Sequence, residues 1–132
     1  MFPDYDRLQK LPLYAKALQI VEITNMLTEA FYEDKDQLNI AEQMKLNAHS
    51  IPAKIAGAEA GDLYSLRMES ATMIKIAARE LNAQTTLCKH MQLANKDYLQ
   101  LLRDEIDQFR ILYLQWVRSF DPNNDAPDEW TA

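Results

Sequence analysis

Apolar residues recur along most of this chain at spacings of three and four, the period of a helix with one buried face. Leu13, Ala17, Ile20, Thr24, Leu27 and Phe31 mark a first segment over 12–32, opened by Pro12, whose missing N–H costs little in a first helical turn. The polar run Glu33-Asp34-Lys35-Asp36 breaks it. Leu38, Ala41, Met44, Ala48 and Ile51 share one face of a second segment over 36–56. Asp62 is the expected N-cap of a third, reaching to Met91, with the stripe Leu63, Leu66, Ser70, Met73, Ala77, Leu81, Thr85 and Cys88 turned inward. Leu99, Leu102, Ile106, Phe109, Tyr113, Trp116 and Phe120 form a heptad seam in a fourth, over 95–120. Nothing alternates with period two for a useful length. Short linkers between long helices predict antiparallel neighbours, hence an all-α, up-down four-helix bundle over residues 1–120.

Between the second and third segments lies Ser50-Ile51-Pro52-Ala53-Lys54-Ile55-Ala56-Gly57-Ala58-Glu59-Ala60-Gly61, which holds both glycines of the chain. Pro52 lacks a donor and its ring crowds the preceding turn, so it is expected to kink or interrupt the helix. Pro52, Gly57 and Gly61 then form the corner joining two helices. Ile111, Leu112, Leu114 and Val117 widen the apolar surface of the last segment beyond its seam. Either that helix is central, or it also meets another subunit through residues such as Leu112, Leu114 and Val117.

The 132 residues carry 20 acidic and 14 basic side chains, a net charge of −6. Four of those acids, Asp121, Asp125, Asp128 and Glu129, follow Phe120, where no base occurs; the body then holds 16 acids against 14 bases. Residues 121–132, with two of the five prolines and one aromatic, Trp130, read as an acidic tail that is flexible or loosely docked. Its charge could screen a basic face of a neighbouring subunit; a plain solubilising terminus is the simpler reading. One cysteine allows no internal disulfide, and no run approaches the ~18 apolar residues of a membrane span, which points to a cytoplasmic protein.

Candidate chemistry is sparse. His49 and His90 lack the Glu three residues before them that di-iron bundles use, and Cys88 with His90 supplies too few ligands for zinc. No Gly-rich phosphate loop exists. Cys88 reads as a packed small residue rather than a nucleophile. A small enzyme would need a pocket lined by Cys88, His49 or His90. No catalytic residue, metal, cofactor or small-molecule substrate is expected. Lys45, Lys54, Arg67, Lys75 and Arg79 are the candidate nucleic-acid contacts, with a solvated helix face as the plainer alternative.

The Ser50-Ile51-Pro52-Ala53 string, preceded by Gln43-Met44-Lys45 and followed by Glu80-Leu81 with Gln84, resembles the 23S rRNA intervening-sequence family of bacterial four-helix-bundle proteins. The similarity covers most of residues 7–118. Accessory proteins of diversity-generating retroelements share that fold, and the resemblance implies assembly into a ring-shaped homopentamer. Two functions follow as expectations. One is a non-enzymatic oligomeric scaffold whose partners are its own copies or another protein. The other is an accessory protein that binds RNA or another nucleic acid.

Overall fold

The computed structural model describes residues 3–127 and 129–130; Met1, Phe2, Asp128, Thr131 and Ala132 lie outside the described residues. The chain is all-α. Its helices are α1 (Pro3–Gln9), α2 (Pro12–Glu29), α3 (Ile40–Glu59), α4 (Tyr64–Met91) and α5 (Lys96–Arg118), with a 3-10 turn at Glu33–Lys35 and no strand among the described residues. The periodicity did not reveal α1. At seven residues it is too short to show a helical period, and it is anchored through Leu8, which is buried, and Arg7, whose Nη2 donates to the Glu59 carbonyl at 2.6 Å.

Around the four long helices, α2 packs on α3 and α5, α4 packs on α3 and α5, and α1 lies against α2 and α3. Along α3 and α4 the paired residues run in opposite senses: Glu59 with Arg67, Asn47 with Gln84, Met44 with Cys88. Tyr113 with Ala71 and Arg103 with Thr86 show the same for α4 and α5. The inward stripes expected for α2 and α5 are buried, except that Tyr113 is half-buried.

Three expectations need correction. First, α3 is not interrupted at Pro52; it runs unbroken to Glu59, with Gly57 inside it. A proline removes one helical hydrogen bond, while Ile51, Pro52 and Ile55 are all buried against the core, and that packing outweighs the local penalty. Gly61 does sit in the turn after α3, but neither glycine has a positive φ, and a Cβ would meet nothing within 4 Å at either. The left-handed positions belong to Asn39 (φ 58°) and Gln92 (φ 54°).

Second, neither Asp36 nor Asp62 is the residue at which its helix begins. Asp36 acts from four residues upstream, its carboxylate accepting from the N–H groups of Ile40 (2.7 Å) and Ala41 (3.0 Å). Leu63 occupies the N-cap of α4 with no side-chain cap. A distant segment takes that place. The Asn124 carbonyl accepts from the Tyr64 N–H at 2.8 Å, Asn124 Nδ2 donates to the Asp62 carbonyl at 3.1 Å, and Ser65 Oγ donates to Asp125 Oδ1 at 2.9 Å.

Third, the inward stripe of α4 slips in its first half. Ala71 and Ile74 are buried, whereas Leu66 and Met73 are exposed. Both stripes pass through Ala77 and Leu81 and diverge upstream. The small Ala71 wins because α5 comes close there, with Tyr113 donating its hydroxyl to the Ala71 carbonyl at 2.7 Å. Leu38, expected in the stripe of α3, is also exposed; it precedes the helix, and Ile40 is buried in its stead.

Candidate functional site on the α4/α5 face

The five basic residues singled out in the sequence do not form one surface. Lys45 pairs with Glu42 one turn away on α3, at 3.1 Å. Lys54 borders a cleft between α3 and α4, with Gly57, Leu66 and Met73. Arg67 is drawn into the molecule: its Nη2 meets Glu59 Oε1 at 2.7 Å and its guanidinium lies 4.0 Å from the centre of the Phe120 ring. Trp116 Nε1 donates to that same Glu59 oxygen at 2.7 Å, so one carboxylate ties together the end of α3, the start of α4 and the end of α5. Lys54 and Arg67 border the same α3/α4 cleft, but Arg67 is committed to Glu59; Lys75 and Arg79 come together on the exposed side of α4 facing α5.

There they gain a neighbour from the other helix. Lys75, Ala78, Arg79 and Asn82 of α4 and Ile106, Asp107, Phe109, Arg110, Tyr113 and Leu114 of α5 line a groove of about 360 Å³. Its walls are mostly apolar and its charges are three cations and one carboxylate. Lys75, Arg79 and Arg110 make no hydrogen bond or ion pair among the described residues. Asn82 Oδ1 is buried without a donor. Burial holds the Tyr113 phenol above its usual pKa, and its hydroxyl is already committed to Ala71.

A second, polar groove continues along the same two helices, lined by Thr85, Lys89, Lys96, Asp97, Leu99, Gln100, Arg103 and Asp107. Arg103 donates to Thr86 Oγ1 at 2.8 Å rather than pairing with Asp107 on its own helix. Together the two grooves carry six cations, Lys75, Arg79, Lys89, Lys96, Arg103 and Arg110, against Asp97 and Asp107. This basic face belongs to a chain of net charge −6. Sequence reasoning missed Lys89 and the whole α5 half because charge balances along each segment. The balancing acids of α5 lie elsewhere: Glu105 pairs with Lys16 of α2 at 2.9 Å, and Asp104 accepts from Gln100. The signal was present as heptad spacing: Lys96, Arg103 and Arg110 are seven apart, and so are Lys75, Asn82 and Lys89.

Two further clefts lie on either side of this face, one apolar and one of mixed character that includes Lys54, Asp62, Arg67 and Glu69. Exposed Met26, Tyr98 and Leu101, with Ile23, Leu27 and Ala30, border a cleft of about 170 Å³ between α2 and α5. Exposed Leu66 and Met73 border the wider α3/α4 cleft. Of the three expected interface residues, Leu112 and Val117 are half-buried against the chain's own core, and Leu114 is exposed at the rim of the basic groove.

Cys88 is fully buried, with its thiol 3.6 Å from Met44 Sδ. Burial, reinforced by the Asp36 carboxylate, pushes its pKa up to about 12, so the thiol stays protonated at neutral pH. His49 and His90 are both exposed. Among the described residues, no group of three or more His, Cys, Asp or Glu side chains is placed to hold a metal ion, and no helix is long and apolar enough to cross a membrane. No protein-family profile and no curated protein sequence matches this chain.

Proposed function

We propose that this protein is a non-enzymatic, homo-oligomeric scaffold: an antiparallel up-down four-helix bundle that assembles into a ring, a homopentamer if the resemblance to the intervening-sequence proteins holds. The observation that carries the reading is a pair of unlike clefts, one apolar between α2 and α5 and one between α3 and α4 where exposed Leu66 and Met73 stand among charged residues. The α2/α5 cleft and the α3/α4 cleft share no helix, so they face opposite ways. Contact between two different faces of identical subunits is heterologous, and a heterologous contact closes into a ring when its rotation allows. Exposed Met26, Tyr98, Leu101, Leu66 and Met73 supply the apolar anchors. Ordering subunits in this way covers neither α1, packed over α2 and α3, nor the basic α4/α5 face. Light scattering on the purified protein tests it: an oligomer at tens of micromolar, reduced to monomer by Met73→Glu, is expected. A monomeric wild-type protein at that concentration refutes it.

A second reading, a nucleic-acid-binding accessory protein, is favoured by the six cations of the α4/α5 face. Repeated around a ring, that face would gain affinity by avidity. Its signature is retardation of structured rRNA fragments that weakens steeply with salt. No retardation at micromolar protein in ~50 mM salt ends it.

A further inference from the structure

We propose that the first α4/α5 groove is a binding site for a small amphipathic anion: an organic carboxylate or sulfonate with an apolar body about the size of two fused rings or a medium-length alkyl chain. Two properties coincide there. Ala78, Ile106, Phe109, Tyr113 and Leu114 give the groove apolar walls, and Lys75, Arg79 and Arg110 stand at it with no partner among the described residues. Three cations against the single carboxylate of Asp107 leave a local charge of +2 in an acidic protein. A volume near 360 Å³ lies within the range of small-molecule sites, which combine apolar walls with a few placed polar groups.

The adjoining groove sharpens the assignment. Lys89, Lys96 and Arg103 make it basic too, against Asp97 and Asp107, yet its lining is polar and its apolar contribution is essentially Leu99. Phosphate recognition asks for cations and donors and has no use for an apolar wall. Thus the second groove suits a bare polyanion, whereas the first is shaped for an anion that brings a hydrophobic body. The body would lie against Leu114, Ala78 and the ring of Tyr113, over a floor of buried Ile106 and Phe109, and displace water from the exposed wall. The head would meet the guanidinium groups of Arg79 and Arg110, whose planar fork favours a carboxylate or sulfonate.

The test is a fluorescence titration of the full-length protein with 1-anilinonaphthalene-8-sulfonate, alongside its uncharged relative N-phenyl-1-naphthylamine. The expected result is one sulfonate per chain, displaced by decanoate and not by an equal concentration of inorganic phosphate. Arg79→Gln with Arg110→Gln should weaken sulfonate binding about tenfold or more while leaving the neutral probe unchanged. Both arginines are exposed and unpaired among the described residues, so helicity should be retained. Leu114→Gln, at an exposed wall position, should weaken both probes and provides a second route should the arginine variant fold poorly. Met26→Ser with Leu66→Ser, in the two other clefts, should change neither. No binding, equal affinity for the neutral probe, indifference to the arginine and leucine changes, or displacement by phosphate or a short RNA duplex as effective as by decanoate overturns the proposal. Oligomeric state does not enter this readout, so the site and the scaffold stand or fall separately.

Discussion

Arg67 and Arg79 stand three turns apart on the same helix, and their surroundings have little in common. Arg67 has 19% of its side chain exposed; it pairs with a carboxylate that is 14% exposed and lies over the ring of Phe120. That carboxylate also accepts from Trp116, which in turn packs edge-on against Phe120 at 4.8 Å between ring centres. Arg79 is exposed, has no ion pair among the described residues and shares its groove with two further cations of which the same is true. At the α3–α4 end a positive charge is a structural tie. In the α4/α5 groove it is uncommitted. Net charge and helix register are silent on the difference, because what separates the two is whether an acid from another helix comes within reach.

The largest effect expected from breaking this contrast is at Glu59. Glu59→Ala strands the Arg67 guanidinium and the Trp116 N–H in a half-dry site. It should cost about 2–3 kcal/mol, a little below the range for fully buried pairs because some solvent still reaches both partners. Urea denaturation measures it; a loss under about 0.5 kcal/mol would mean the tie is no stronger than a surface ion pair. Arg67→Lys keeps the charge but gives up the planar group over Phe120, and should cost about 1 kcal/mol in the same measurement. Gln92→Gly sets a scale from outside both regions. It relieves a left-handed backbone at the end of α4 and should stabilise by roughly 0.5–1 kcal/mol, seen as a higher melting temperature. Smallest of all is Arg79→Gln with Arg110→Gln, whose stability should stay within about 0.5 kcal/mol of wild type. A substantial loss there would show that the groove's cations are structural too.

The parts of the fold legible in advance are those where one face is buried along its whole length. The stripes of α2 and α5, from Leu13 to Phe31 and from Leu99 to Phe120, end up where their period puts them because nothing competes with them. In α4 two stripes were available, and the choice of Ala71 and Ile74 over Leu66 and Met73 depended on how close α5 came, a fact of packing. Pro52 was misleading as a helix break for a related reason: a local rule met a buried surface large enough to keep the helix running through it. Asn39 and Gln92 hold the left-handed turns although two glycines were available to the eye. Lys75 and Arg79 could be picked out as one face of one helix. Arg110 could join them only once α5 was known to lie beside α4 in the opposite sense.

The closure of α4 by Asn124 and Asp125 has a consequence for how the molecule is made. The helix whose first N–H is held by the Asn124 carbonyl leaves the ribosome before its cap exists, since the partners are 60 residues apart. At ordinary elongation rates of about 5–20 residues per second, α4 waits roughly 3–12 s for the segment that finishes its first turn. During that interval Arg67 also lacks Trp116 and Phe120, which α5 and the residue pair after it supply. The α3–α4 hairpin therefore emerges with its tip unfinished, and synthesis of α5 and the segment behind it is the event that locks the nascent hairpin shut.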